Sequence, residues 1–259
     1  MKHNLPTTLF YYNEEGDAFP LTHTGKPCSV IITDITGDEA KYTLDDYGFQ
    51  LVNQVSKVTA WLNPATVEKE YYPELEKLLM QVTGCKRVVV IEHVTRLSQT
   101  LDHKKAPDSQ LTARPTVKWV HLDRFSSEGV AKELVVKHTG LDAESLLKGR
   151  YQIMNIWRPT KTILRDPFGI ASAVPESDIV HMPFSTPEET GVKFGIKYRP
   201  YHQWYYKYKQ EPNEVLLFKV FDTETSCKET KVPHSAFSDK DEEDKAPRES
   251  IEARALLFY

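Results

Sequence analysis

The sequence predicts a mainly β protein of the α+β class, an antiparallel sandwich or barrel with its helices concentrated upstream. Two observations point there. Beyond Arg150, seven short aliphatic or aromatic runs, YQIMNIW, FGIASAV, DIVHMPF, VKFGIKY, QWYYKY, EVLLFKVF and SIEARALLFY, are separated by turn residues. Stretches with apolar residues at spacings of three and four lie before that point, at 65–83 and 127–148. With 259 residues, 40% hydrophobic and 27% charged, the chain can bury a substantial core and has no disordered signature. No repeat of fixed period is visible.

Taken in order, SVIIT at 29–33, KYTL at 41–44 and YGFQLV at 47–52 read as short strands between Gly and Asp turns. The helix at 65–83 follows Asn63-Pro64 and closes at Gly84, placing Val67, Tyr71, Leu75 and Leu78 along one side; Pro73 argues against a single straight helix. The β-branched run RVVVIEHV at 87–94 has the composition of a central strand buried on both faces. Residues 98–116 are polar, an expected mobile loop and, from their position, an expected lid. The strand expected at 118–123 leads to a helix over 127–148, with Glu128 in its first turn and an interruption at Gly140. SDKDEEDKAP at 238–247 reads as a solvated loop. The chain reads as one domain over 1–259: a β and helical portion at 1–97, the loop at 98–116 and a metal-binding barrel at 117–259.

Composition excludes several classes. Lys plus Arg at 33 against Asp plus Glu at 37 leaves a net charge of -4, which offers no basic field for nucleic acid. No apolar run approaches the roughly 18 residues of a spanning helix, and mean hydropathy is -0.49, so no membrane partner is expected. The opening residues lack a secretory or organellar leader pattern, so a cytoplasmic location is expected. Cys28, Cys85 and Cys227 are widely spaced and form no CxxC, which suggests buried structural thiols rather than a disulfide framework or zinc site.

The chemistry is carried by an ordered set of residues. Among nine histidines, only His121 has a carboxylate two positions on, in His121-Leu122-Asp123. On a strand, alternate side chains share a face, so imidazole and carboxylate point to a common spot. One remote histidine completes a two-His-one-carboxylate set, which leaves three positions open on Fe(II) for a chelating co-substrate and dioxygen. His234, in VPHSAF, follows the strand-like EVLLFKVF; fourteen residues later comes Arg248-Glu249-Ser250, where Arg248 and Ser250 share a face and can together hold a carboxylate. Arg-x-Ser also occurs at Arg96 and Arg124, so its weight comes from its place after the distal histidine. His181 and His202 are rivals for the third ligand, but neither is followed by Arg-x-Ser at that distance.

In NIWRP, Asn155 and Arg158 cannot both face inward without a bulge or strand end. Asn155 is a candidate carboxylate contact, and Arg254, on the face of Arg248 and Ser250, is another. Arg158, Trp157 and Tyr205 are candidate substrate contacts, although aromatic stripes such as Trp204 to Tyr206 also pack sheets.

The order and spacing of these residues resemble the Fe(II)/2-oxoglutarate-dependent oxygenases. The wording NIWRP, NEVLLFKVFD, VPHSAF and APRESIEARALLF is similar to the fungal hydroxylase/desaturase group, which includes the gibberellin desaturase and is related to a cephamycin methoxylation protein. The resemblance runs from about Tyr42 to Tyr259 and is strongest in the last hundred residues. It implies a double-stranded β-helix (jelly-roll, cupin-like) core with flanking helices. It further implies His121, Asp123 and His234 as iron ligands, and Arg248 with Ser250 as anchor for the distal carboxylate of 2-oxoglutarate. The implied activity is oxidation of a small specialised metabolite or amino-acid-derived substrate by hydrogen abstraction. Its outcome would be hydroxylation, desaturation or ring closure such as aziridine formation, with dioxygen consumed and succinate and CO2 released. Two other readings are a non-enzymatic β-barrel that binds a small ligand and a cupin-type metalloenzyme without 2-oxoglutarate.

Overall fold

The computed structural model describes residues 2–14, 25–97, 114–185, 190–224 and 231–259. All seven runs beyond Arg150 are strands. They are β6 Tyr151–Pro159, β7 Phe168–Ala171, β8 Ile179–Ser185, β9 Thr190–Ile196, β10 Trp204–Tyr206, β11 Glu214–Asp222 and β13 Glu249–Phe258. An eighth, β12 His234–Ala236, is three residues long. Upstream lie β1 Leu5–Tyr11, β2 Lys26–Asp34, β3 Phe49–Asn53, β4 Arg87–Leu97 and β5 His121–Leu122. They form two sheets, ordered β1-β2-β10-β7-β12-β5-β9-β8 and β3-β11-β6-β13-β4. Every pairing is antiparallel except β10 with β2.

The sequence reading missed β1, all of which pairs with β2, from Tyr11 opposite Lys26 to Leu5 opposite Ile32. Leu9 and Tyr11 are buried in a cluster with Ile32, Val120, Ile196 and Trp204, residues far apart in sequence that only the sheet brings together. KYTL is not a strand: Glu39–Lys41 is a 3-10 turn, and the Thr43 carbonyl and hydroxyl accept from the Tyr47 and Asp46 backbone N–H groups. Local side-chain bonding outcompetes a ladder there, while Tyr42 and Leu44 are buried from a turn.

The predicted helix is helical throughout but not uniform, with α1 Pro64–Thr66, a π-helical turn at Val67–Tyr71, and α2 Tyr72–Thr83. Pro73 stands in the first turn of α2, where its missing N–H costs no α-helical bond and the widened turn before it makes room for the ring. Asn63 caps the start through the Thr66 N–H, and Gly84 ends it at φ 71°. Val67, Tyr71, Leu75 and Leu79 are fully buried against β4, β6, β11 and β13, each apolar side chain contributing about 1.5 to 3 kcal/mol. Downstream, α3 Glu128–Thr139 ends at Gly140 and a 3-10 turn leads to α4 Ala143–Leu146.

One expectation is corrected by topology: β4 is not central but the edge of the five-stranded sheet. Its run of valines arises because Val88 and Val90 pack under α2 while Val89 and Ile91 meet the α3 cluster, so helices cover both faces without a second strand neighbour. Most of the loop expected at 98–116, including its role as a lid, lies outside the described residues. At its far end Arg114 forms a parallel bridge with Arg96, donating to Thr95 O and accepting from Leu97 N. The strand expected at 118–123 shortens to His121 and Leu122.

The two sheets face one another across a cluster of Phe49, Trp157, Leu216 and Phe218 from one and Phe168, Ile170 and Tyr205 from the other. Beside this cluster, β5 and β12 of the larger sheet stand over β6 and β13 of the smaller. Buried Asn155, Arg254, Glu252 and His234 meet there.

Candidate metal centre

His121 and His234 are direct cross-strand partners on β5 and β12, with ring centroids 4.4 Å apart. Each imidazole is fixed by its surroundings. His121 stacks on Trp119 at 5.0 Å, and His234 lies against Phe168 at 5.6 Å and Phe218 at 5.0 Å. Nδ1 of His121 is 2.8 Å from the Trp119 carbonyl and Nδ1 of His234 is 3.3 Å from the Val232 carbonyl. A carbonyl only accepts, so both Nδ1 atoms carry the proton and both Nε2 lone pairs are bare. Burial, with His234 beside it, pushes His121 down to about 4, and burial lowers His234 as well. Both rings are therefore neutral, the form that ligates a metal.

Asp123 follows β5 and completes the set: ligand atoms of His121, Asp123 and His234 all lie within 4.8 Å of one another, the only such group among the described residues. The three ligand atoms thus converge on one spot, as the ligands of a single first-row ion must. Asp123 Oδ1 is 4.0 Å from His234 Nε2. Its other oxygen, Oδ2, accepts from Asn155 Nδ2 at 2.5 Å and from Arg254 Nη2 at 2.6 Å. Burial opposes ionisation of Asp123, but the Arg254 guanidinium and the Asn155 hydrogen bond outweigh it and hold the carboxyl well below the usual carboxylate range. Asn155 on β6, Arg254 on β13 and Glu92 on β4 are consecutive cross-strand partners, forming a polar row under Asp123. Arg254 Nε donates to Asn155 Oδ1 at 2.9 Å, Nη1 bonds Glu92, and Glu252 lies 3.5 Å away.

Toward the start of β13, Ser250 and Arg248, which immediately precedes the strand, are buried with unused polar atoms. Arg248 Nη1 donates to Asp166 O at 2.9 Å and its guanidinium lies 5.4 Å from the Trp157 ring centre, but Nε has no partner. Ser250 Oγ and Trp157 Nε1 are likewise buried without partners. Burial, with Arg96 nearby, pushes the Arg248 guanidinium down to about 9. Buried orphan donors of this kind call for a ligand. A carboxylate supplies the missing acceptor oxygens, and neutral imidazoles with a carboxylate suit Fe(II), so both expected groups fit the residues present.

A family model described as an oxidoreductase/YMDC permease-like domain matches residues 3–258. The hydroxylase/desaturase efuI of Hormonema carpetanum is 35% identical over 98% of this chain and 94% of its own length. The alpha-ketoglutarate-dependent dioxygenase tstK of Talaromyces stipitatus is 31% identical over 89% of this chain and 85% of its own. The chain belongs to this family of fungal oxygenases. The iron and alpha-ketoglutarate-dependent endoperoxidase NvfI superposes with a TM-score of 0.79 over 100% of this chain and 97% of that one at 23% identity, which shows the shared jelly-roll fold. Family membership makes the protein an oxidoreductase with Fe(II), 2-oxoglutarate and dioxygen as its cofactor set, and it displaces the non-enzymatic barrel.

Within this oxygenase, several candidates sit elsewhere than expected. Asn155 and Arg254 are spent on Asp123 rather than beside Arg248 and Ser250, because the row they occupy lies under the metal ligands. Arg158 faces away from Asn155. It is 1% exposed, donates to Tyr71 OH at 2.8 Å and to the Gln54 and Pro212 carbonyls at 2.9 and 2.5 Å, and bonds the Gln54 side chain. Saturated in this way, it has the contacts of a structural bolt between β6, the π-helical turn before α2, the loop after β3 and the loop before β11. Tyr205 packs among Tyr42, Tyr47 and Phe49 and donates to Gln203. His202 is bound to Asp178 at 3.1 Å and His181 to Glu176 at 3.0 Å, so neither rival reaches the centre. Glu92 and Glu252 were not singled out from sequence; alternation along β13 puts Glu252 on the Arg254 face, but Glu92 needs the register of β4.

Arg158→Met is expected to lower stability by about 2 to 4 kcal/mol, because it strands two carbonyls and a buried tyrosine. In urea melts and succinate assays, the folded fraction should keep its wild-type requirement for 2-oxoglutarate. A raised requirement at unchanged stability would instead make Arg158 a binding residue.

Proposed function

We propose that His121, Asp123 and His234 hold the catalytic Fe(II), and that Arg248 and Ser250 receive the distal carboxylate of 2-oxoglutarate. The observation that carries this reading is the pairing of two bare Nε2 atoms and one free carboxylate oxygen with buried, unpartnered donors at Arg248 and Ser250. When bound, iron with 2-oxoglutarate and dioxygen supplies an oxidant strong enough to remove hydrogen from an unactivated carbon, releasing succinate and CO2. The chain's own part is positional. The Trp119 and Val232 carbonyls fix the imidazole tautomers, Phe168 and Phe218 fix the His234 ring, and Arg248 with Ser250 orients the co-substrate. Trp157 closes the wall behind Arg248 and keeps bulk water from the carboxylate.

The substrate in this reading is a small specialised metabolite or amino-acid-derived molecule, and hydroxylation, desaturation or ring closure is decided by which hydrogen the pocket presents. The whole of 1–259 acts as one catalytic unit, since the site draws on residues from Glu92 to Arg254. No helix among the described residues is long and apolar enough to cross a membrane. Cys28 and Cys85 are buried and unbridged, in keeping with a cytosolic setting.

Anaerobic addition of Fe(II) and 2-oxoglutarate together is expected to give a weak visible absorption that neither gives alone, and admission of oxygen should yield succinate. Iron binding without any effect of 2-oxoglutarate would favour the cupin-type metalloenzyme.

A further inference from the structure

Asp123 offers two oxygens, yet the surrounding residues leave only one for a metal. A carboxylate oxygen has about two lone-pair directions. On Oδ2 both are taken, by Asn155 Nδ2 at 2.5 Å and Arg254 Nη2 at 2.6 Å. Oδ1 is the oxygen turned toward His234 Nε2, at 4.0 Å. The two donors are themselves held. Arg254 Nε donates to Asn155 Oδ1 at 2.9 Å, which also fixes which end of the Asn155 amide faces Asp123, and Glu92 binds Nη1 from the far side. Glu252 adds a third carboxylate, 3.5 Å from Nη2. Phe125 lies under the guanidinium, 4.2 Å from it to the ring centre. The arginine thus has no room to release Asp123 without breaking several contacts at once.

The count of coordination positions gives this clamp its meaning. Two imidazoles and a carboxylate bound through one oxygen leave three of six positions open, enough for a chelating co-substrate and one further molecule. The same carboxylate bound through both oxygens leaves two, and the co-substrate alone fills them. We infer that Asn155 and Arg254 are positioning residues which hold Asp123 to one-oxygen ligation and so keep the third open position on the metal. The inference rests on the proposed His121, Asp123 and His234 metal site.

The test uses Mn(II) bound to the full-length protein, with coordinated waters counted from the broadening of its electron paramagnetic resonance lines in 17O-enriched water. Wild type is expected to show three waters, falling to one when 2-oxoglutarate is added. Asn155→Ala and Arg254→Met are each expected to show two, falling to none with 2-oxoglutarate. Asn155→Ala leaves the Arg254 charge network in place and serves if Arg254→Met folds poorly. Variants that retain three waters, or that lose Mn(II) as completely as Asp123→Ala, would overturn the inference. Failure of wild type to bind Mn(II) at all would instead overturn the metal site itself.

Discussion

His234→Ala is expected to abolish succinate formation, by a factor of about a thousand or more, while leaving the fold intact. Such a loss corresponds to about 4 kcal/mol of transition-state stabilisation. The imidazole is one of three groups that hold the ion, and no other side chain can replace it: His202 and His181 are tied to Asp178 and Glu176. The fold should survive because the backbone pairing of β12 with β5 and β7 does not depend on the side chain. His121→Ala and Asp123→Ala are expected to behave alike for turnover. Metal titration of the purified variants checks the cause, since affinity and turnover should fall together. Near-normal succinate production by His234→Ala, with His202→Ala inactive, would move the third ligand to His202.

The second large effect is expected from Arg248→Ala, which should raise the apparent requirement for 2-oxoglutarate about ten- to a hundredfold and leave metal affinity within about twofold of wild type. The lost contact is a charge-assisted one to a carboxylate in a buried setting, worth about 1.5 to 3 kcal/mol. Arg248→Lys restores the charge but not the Nε–H or the planar contact with Trp157, so its recovery should be partial. Initial rates of succinate formation against 2-oxoglutarate, at fixed iron, measure the change. An unaltered dependence would assign the carboxylate to another group. Arg254 is a poor substitute because Asp123, Asn155 and Glu92 already occupy it.

Much of this protein is readable from local pattern. Short aliphatic or aromatic runs separated by turn residues mark every strand from β6 onward except the three-residue β12, because such a run is a property of consecutive residues. The helix ends at Gly84 and Gly140 are legible for the same reason, since positive φ at a helix terminus is a demand on one residue. The spacing of His121, Asp123, His234, Arg248 and Ser250 is also local information, joined by order along the chain. Partnership between strands is not. Nothing in RVVVIEHV distinguishes an edge strand roofed by helices from a central one, and nothing near Leu5 announces that it will pair with Ile32. The largest difference lies at Asn155 and Arg254. Each has the residue type of a carboxylate-binding group, and that much is correct. Which carboxylate they bind depends on the register that sets Asn155 opposite Arg254 and Arg254 opposite Glu92, and on the packing of the other sheet that lowers Asp123 onto this row. Side-chain chemistry is written residue by residue, whereas the contact between groups more than thirty positions apart is set by the strand ladders and the packing of one sheet against the other.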